Sequence, residues 1–175
     1  ENYNACTRDE ESKVRYFAYA GMEGFTHRNC GLERDSVKAS ISTDGANHAK
    51  MVETRAQKVA QVANQIPQLT VEGNPDADML IIGWGSTHGH LLSAVNKMNE
   101  IGKPCALAHF NYINPLPKNS AEIIKKYKKV VVCELNSGQF ATYLRSQIPH
   151  EYLQYNKVEG QPFNVGQIVD YLKTL

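Results

Sequence analysis

Strong charge of either sign is missing from this sequence. Its 175 residues carry a formal net charge of +1, and 42% of them are hydrophobic. A nucleic-acid-binding protein would be expected to have a basic excess, and a disordered chain would have fewer hydrophobic residues. The composition therefore predicts one globular domain with a less well packed end, and it argues against a nucleic-acid partner.

Cysteine pairs and long apolar runs are scarce as well. No Cys-x-x-Cys pair occurs among the four cysteines, Cys6, Cys30, Cys105 and Cys133, which argues against a zinc or iron–sulfur site. The sequence has no signal peptide and no apolar run long enough to span a membrane, so we expect a cytoplasmic protein. Because the first residue is glutamate, we also expect an excised domain or a processed chain.

The most informative stretch is Asp78–His90, DMLIIGWGSTHGH. An apolar run without polar alternation predicts a strand covered on both faces, and the period then changes to that of a helix inside the turn Gly83–Gly89. We expect Gly83 and Gly85 to adopt backbone angles closed to other residues, and Ser86 or Thr87 to cap the helix. The third glycine comes one place too late for a dinucleotide fingerprint, so ligand binding and tight packing remain equal alternatives for this turn.

From Ala77 onward, strand-like and helix-like segments alternate. This order predicts an α/β fold with three layers (αβα) and a mostly parallel sheet of about five strands, in a domain covering residues 76–175. The strands that can be located are Met79–Gly83, Cys105–Phe110, Lys129–Leu135 and Tyr152–Val158. The predicted helices lie near His88–Ile101, Ser120–Tyr127, Ser137–Gln147 and Val165–Leu175.

Residues 1–75 are polar and irregular, and we interpret them as a linker with one packing helix. Asp44 or Asn47 can cap that helix, and Ile66-Pro67 ends it. A face made by Met51, Val52, Ala56, Val59, Val62 and Ala63 could pack on the main body of the protein. Arg15–Tyr19 is a further candidate for a short strand.

Polar residues collect where three predicted strands end. Asn111 and Asn114 lie in a proline-containing turn, for which a structural role is favoured. Glu134 could accept a hydrogen bond from a ligand or a neighbouring protein, or it could tie down the adjacent loops. Trp84 could anchor an interface or fill the protein's own core. The candidate interface or ligand residues are Gly83, Trp84, Gly85, Ser86, Thr87, Asn111, Asn114, Glu134, Asn136 and Gln139, together with Arg28 outside this edge.

No catalytic or metal-binding residue is predicted. The sequence has no activated serine, no Walker loop and no cysteine placed as a nucleophile. His88, His90 and His109 could converge, but carboxylates or cysteines in ligand spacing are missing.

Four motifs carry a resemblance to a known family. Gly83–Thr87, His109–Pro117, Val132–Gln139 and Gly160–Phe163 resemble, in order and spacing, the alpha subunit of 2-oxoacid:ferredoxin oxidoreductases. The 2-oxoglutarate enzyme is the most similar member. Gly31–Asp35 and Met51–Lys58 are similar to that subunit's linker and helix, whereas Gly24–Gly31 departs from the family pattern and only Arg28 aligns there.

The resemblance implies a domain similar to the transketolase C-terminal domain, within a thiamine-diphosphate enzyme that makes an acyl-CoA and reduces ferredoxin. The parent enzyme is implied to use thiamine diphosphate, Mg²⁺, an iron–sulfur cluster and coenzyme A. Motifs for these groups belong elsewhere in the family, so we expect this chain alone to bind none of them and to be inactive.

The implied partners are the remainder of the alpha subunit, the beta subunit, a second copy, and ferredoxin through the complex. We expect the loops Gly83–Gly89 and Glu134–Gln139 to form the docking surface. The alternative is an independent α/β domain that binds a small ligand or nucleotide at the Gly83–Gly89 turn.

Overall fold

The computed structural model describes residues 3–28 and 31–175. The chain divides into two compact units, Glu1–Gln65 and Ile66–Leu175. Cys30 lies outside the described residues. Residues 66–75, which we predicted to be part of the N-terminal segment, belong to the second unit, where Leu69 is buried and Glu72–Gly73 forms a strand.

The first unit contains one hairpin geometry twice. In both copies an Arg-Asp pair opens a turn, and the residue four places after the aspartate closes it with a positive φ: Lys13 at 60° and Ala39 at 58°. Arg8 Nη1 donates to the Lys13 carbonyl at 2.7 Å, and Arg34 Nη1 donates to the Ala39 carbonyl at 2.9 Å. Isolated antiparallel bridges, Arg8↔Arg15 and Arg34↔Ile41, complete the hairpins.

The helix of the first unit is α1 (Gly45–Gln61), which a short 3₁₀ turn, Val62–Asn64, extends. Asp44 caps it by accepting the Asn47 amide at 2.7 Å, so the first of the two predicted caps is the observed one. Asn47 instead holds the second hairpin, since its Nδ2 donates to the Arg34 carbonyl.

One prediction for this unit stays a prediction and one is wrong. In the predicted apolar helix face Met51 is buried, and the packing of the other residues on the main body remains a prediction: Val52, Ala56, Val59, Val62 and Ala63. Arg15–Tyr19 forms no strand beyond the single bridge at Arg15, because Tyr16 to Tyr19 find no partner strand among the described residues.

The second unit has the predicted three-layer αβα fold. Its strands are β1 (Glu72–Gly73), β2 (Met79–Trp84), β3 (Cys105–Phe110), β4 (Lys129–Glu134) and β5 (Leu153–Asn156). They lie in the order β1-β3-β2-β4-β5, and all neighbours are parallel except β1 and β3. The four predicted strands are confirmed with ends that differ by at most two residues, whereas β1 was not predicted because two residues show no periodicity.

Helices cover both faces of the sheet. They are α2 (His88–Glu100), α3 (Ser120–Lys126), α4 (Gln139–Gln147) and α5 (Val165–Lys173). Leu80 and Ile82 pack with α3 and α4, whereas Ile81 between them packs with α2 and α5. Successive side chains of a strand face opposite layers, which explains why the β2 sequence shows no polar alternation.

None of the helices in the described part of the chain has the length and apolarity needed to span a bilayer.

Candidate functional site

The three loops with the candidate residues lie at one edge of the sheet. Parallel pairing runs in step from Met79↔Lys129 to Ile82↔Val132, and β3 is in register with β2 up to Trp84↔Phe110. The ends of these strands therefore meet. We call this surface, residues 83–89, 111–117 and 134–139, the carboxyl edge.

Glu134 is the central group of the carboxyl edge and is only 1% exposed. Its Oε2 accepts the Phe140 amide at 2.8 Å and its Oε1 accepts the Ala141 amide at 2.9 Å. Both amides belong to the first turn of α4, where unpaired N–H groups and the helix dipole favour a negative charge. Of the alternatives left open by the sequence, tying down adjacent structure is the one observed.

The loop after Glu134 is closed by Asn136. Its Oδ1 accepts the amides of Gly138 and Gln139 at 2.8 and 2.9 Å, which is an Asx turn. Gly138 has a φ of 94°, and a Cβ there would lie 2.2 Å from Gln154 Oε1. The two hydrogen bonds of Asn136 fix the path of this loop, and Gln139 is left exposed at the start of α4.

The glycine turn differs from the prediction in two respects. Gly85 has the expected positive φ, at 63°, but Gly83 is needed for space, since a Cβ there would lie 2.1 Å from Leu91 Cδ1. Thr87 occupies the N-cap position of α2 without capping it, and its hydroxyl donates to the Trp84 carbonyl at 2.8 Å. Ser86 is exposed and makes no side-chain hydrogen bond among the described residues.

Trp84 joins the glycine turn to the Glu134 loop. Its Nε1 donates to Glu134 Oε2 at 3.4 Å, and its ring lies 6.0 Å from that of Phe140. The side chain is half-buried and packs against the core cluster on the α4 face. Near it, the Tyr143 hydroxyl donates to Asn114 Oδ1 at 3.3 Å, which connects the proline-containing loop to α4.

Two of the three histidines come together. The His88 and His109 rings are 5.0 Å apart, and His88 Nε2 lies 2.7 Å from Glu72 Oε1 on β1. Burial lowers the pKa of His109, and His88 lowers it further, although Asn111, Glu72 and the Gly85 backbone oppose this. Within residues 3–28 and 31–175, no group of three or more His, Cys, Asp or Glu side chains is placed to hold a metal ion.

Two buried thiols lie in the strands of the sheet. Burial raises the pKa of the Cys105 thiol to about 11, and burial also raises the pKa of Cys133. A thiol that stays protonated near neutral pH is a poor nucleophile. Both cysteines therefore act as small apolar core residues.

The two edges of the sheet differ in charge. The carboxyl edge contains no lysine, arginine or aspartate, and its one glutamate, Glu134, is buried. At the opposite edge Lys128 pairs with Asp78 at 2.9 Å and Lys126 lies 3.8 Å from Asp76. Apart from His88, which is partly exposed and contacts Glu72, the exposed side chains of the carboxyl edge are amides, hydroxyls and apolar groups, including Tyr112 and Leu135.

Arg28 lies in the first unit and is exposed. Its carbonyl accepts a hydrogen bond from Arg34 Nη2. Two residues that contact the carboxyl edge were not predicted. Glu72 contacts His88, and Phe140 donates its amide to Glu134 and packs its ring against Trp84. The sequence signal for Phe140 was its place at the start of a predicted helix, six residues after Glu134.

Comparisons with known proteins agree on one family. No protein-family model matches the chain. The 2-oxoglutarate oxidoreductase subunit KorA of Mycobacterium tuberculosis is 36% identical over 174 residues, which are 99% of this chain and 26% of that protein. The alpha subunit of 2-oxoacid:ferredoxin oxidoreductase 1 of Aeropyrum pernix is 28% identical over 80% of this chain and 23% of its own length.

A solved structure gives the same result. The 2-oxoglutarate:ferredoxin oxidoreductase of Magnetococcus marinus, with 2-oxoglutarate, coenzyme A and succinyl-CoA bound, matches 99% of this chain and 31% of its own with a TM-score of 0.88 and 26% identity. The chain spans about a quarter of the curated relatives it matches. The resemblance to alpha subunits of 2-oxoacid:ferredoxin oxidoreductases is therefore confirmed, for a chain equivalent to one segment of such a subunit.

Proposed function

We propose that this chain is a noncatalytic assembly segment of the alpha subunit of a thiamine-diphosphate-dependent 2-oxoacid:ferredoxin oxidoreductase. The parent enzyme would oxidatively decarboxylate a 2-oxoacid, most simply 2-oxoglutarate, to an acyl-CoA. The 36% identity to a 2-oxoglutarate oxidoreductase subunit, which extends over 99% of this chain, supports this choice of substrate.

The difference in charge between the two sheet edges carries the proposal. Charged residues are depleted at the centres of protein interfaces, where aromatic and apolar groups are enriched. The carboxyl edge has that composition, with Tyr112 and Leu135 exposed among uncharged amides. Its loops are held by Glu134 and Asn136, so little conformational entropy is lost when a partner binds. The partners proposed for this edge are the remainder of the alpha subunit, the beta subunit or a second copy.

The proposal places the cofactors elsewhere in the complex. Thiamine diphosphate, Mg²⁺, the iron–sulfur cluster and coenzyme A would be held outside these 175 residues, and ferredoxin would be reached through the assembled enzyme. Buried free thiols at Cys6, Cys105 and Cys133 suit a reducing cytoplasm, which is the compartment we propose.

A matched pair of charge insertions tests the docking edge in the assembled enzyme. Leu135→Lys adds a charge to the carboxyl edge, and Ile101→Lys adds the same charge to an exposed position at the far end of α2. We expect Leu135→Lys to weaken subunit assembly at least tenfold, about 1.4 kcal/mol, with Ile101→Lys near wild type. Equal assembly constants for the two variants, measured by sedimentation, would contradict the proposal.

Calorimetry separates this function from the alternative of a small-ligand domain. An assembly segment should bind neither coenzyme A, nucleotides nor thiamine diphosphate with micromolar affinity, about −8 kcal/mol. The alternative would be favoured if one of these compounds bound with that affinity and if substitution of Gly85 and Ser86 in the glycine turn abolished the binding. Dye reduction that depends on 2-oxoglutarate, catalysed by the chain alone with thiamine diphosphate, Mg²⁺ and coenzyme A added, would also overturn the noncatalytic role.

A further inference from the structure

The exposed apolar side chains of this chain are concentrated in the first unit. Phe17 is 78% exposed, and Tyr16 and Tyr19 beside it are also mostly exposed. The other large exposed apolar residues of this unit are Val14, Met22, Phe25, Leu32, Val37, Ile41, Val52, Val59 and Val62. Among its described residues only Cys6 and Met51 are buried apolar side chains. Most of the large apolar side chains described in this unit are therefore exposed.

The aromatic loop, residues 15–27, gathers several of these groups. Its polypeptide turns at Gly21 and Gly24, which have φ values of 90° and 80°. The Phe17 and Tyr19 rings meet edge to face at 5.4 Å, and Tyr3 contacts the Phe25 ring at 5.3 Å. Together with Tyr3 and Ala5, the loop lines an open cleft of about 1070 Å³.

The composition of the aromatic loop indicates a polypeptide partner. Residues 16–22, YFAYAGM, contain no charged side chain. Loss of charge with aromatic enrichment is typical of the buried centre of a protein interface. A small ligand would need several convergent polar groups, whereas the Tyr3 hydroxyl is already bonded to the Tyr16 carbonyl at 3.1 Å.

We propose that the aromatic loop is an internal docking surface, covered in the complete alpha subunit by an apolar polypeptide segment that lies outside these 175 residues. This inference rests on the proposed function. The relatives carry equivalent residues within chains about four times as long, so such a segment would be tethered to the loop. Tethering gives an effective concentration in the millimolar range, which favours it over a separate molecule.

Photo-crosslinking in the complete subunit, assembled as the enzyme, identifies the occupant directly. Benzoylphenylalanine replaces Phe17 in one preparation and Val158 in the control, since Val158 is 71% exposed and belongs to the second unit. We expect the probe at position 17 to join a peptide of the same subunit outside the 175 residues, and the probe at position 158 to miss that peptide. Crosslinks to residues 66–175, to a second copy, to the beta subunit, or to no polypeptide would each overturn the proposal.

Thermal unfolding of the same complete subunit gives a second measurement. Phe17→Ser should lower its Tm by several degrees, because the substitution removes apolar area buried under the covering segment, whereas Val158→Ser should leave Tm unchanged. Equal Tm values for the two variants would contradict coverage of the loop.

Ferredoxin reduction by the wild-type complex keeps the two proposals separate. A complex without 2-oxoacid-dependent reduction, but with the same-subunit crosslink, would reject the proposed function and leave the docking surface standing. An active complex without that crosslink would reject only the docking surface.

Discussion

Trp84 and Glu134 connect two loops that follow neighbouring parallel strands. Trp84 Nε1 donates to Glu134 Oε2 at 3.4 Å, and the same carboxylate accepts two amides of α4. A buried carboxylate is costly unless hydrogen-bond donors compensate it, and here the three donors and the dipole of α4 do so. The position of the glycine turn is thus coupled to the start of a helix on the other side of β4.

Glu134→Gln tests this arrangement. An amide group in place of one carboxylate oxygen sets an N–H donor against another donor, so the native state loses a buried hydrogen bond. We expect the free energy of unfolding to fall by roughly 1.5–3 kcal/mol. Urea unfolding measures it, with Ser137→Ala in the same loop expected to stay within about 0.5 kcal/mol of wild type. A Gln variant as stable as Ser137→Ala would contradict the role given to Glu134.

The sequence predicted most of the second unit because its signals are local. β2 and β4 are unbroken apolar runs, and the helices after them restore a period of 3.6, so strand ends and their shared edge followed directly. The interactions within the edge were not predictable. Whether Glu134 would meet a ligand or the amides of Phe140 and Ala141 depends on backbone path, which residue types do not specify.

The first unit was predicted poorly for the opposite reason. Its structure depends on single bridges and on side chains that bond to nearby backbone, and such contacts leave no periodic pattern. Val52 and Val59 have helical spacing and are exposed. Amphipathic spacing predicts that a helix face is buried, but it does not identify the polypeptide that covers the face.

Gly83→Ala should destabilise the second unit through a defined clash. The new Cβ would lie 2.1 Å from Leu91 Cδ1, and we expect a cost of roughly 1–3 kcal/mol. In a Leu91→Ala background the cost of Gly83→Ala should shrink by about 1 kcal/mol, because the clashing methyl group is gone. Gly89→Ala, in open space at the start of α2, serves as the control and should be neutral or stabilising. Additive effects of the Gly83 and Leu91 changes in denaturant unfolding would contradict the clash.

His109 should make the second unit less stable in mild acid. Burial holds the pKa of His109 below its usual value, so between the folded and unfolded pKa values the unfolded chain binds more protons. Stability from this group is therefore complete above the unfolded pKa, about 6.5, and declines as pH falls toward the folded pKa. The pH dependence of the free energy of unfolding should weaken in His109→Asn.

An NMR titration of Asn111→Ala should show the pKa of His109 lower still, because a hydrogen bond that supports the protonated ring is lost. A raised pKa of His109 in this variant would reject this account.

The duplicated hairpins of the first unit allow one aspartate to act as the control for the other. The Ser12 amide and then the Ser12 hydroxyl lower the pKa of Asp9, whereas the pKa of Asp35 is lowered by the amides of Lys38 and Val37.

Ser12→Ala removes a hydroxyl donor 2.7 Å from Asp9 Oδ1 and keeps the amide. NMR titration of the carboxyl carbons should therefore show the pKa of Asp9 moving partway back toward its usual value while that of Asp35 stays unchanged. The hairpin stabilisation from Asp9 is present above the unfolded pKa, about 3.9, and is lost as pH falls through the folded pKa, so in Ser12→Ala this loss should be smaller and should be complete at higher pH. Equal shifts at Asp9 and Asp35 would show that the substitution acts on the whole unit, and would contradict the local hydrogen bond as the cause.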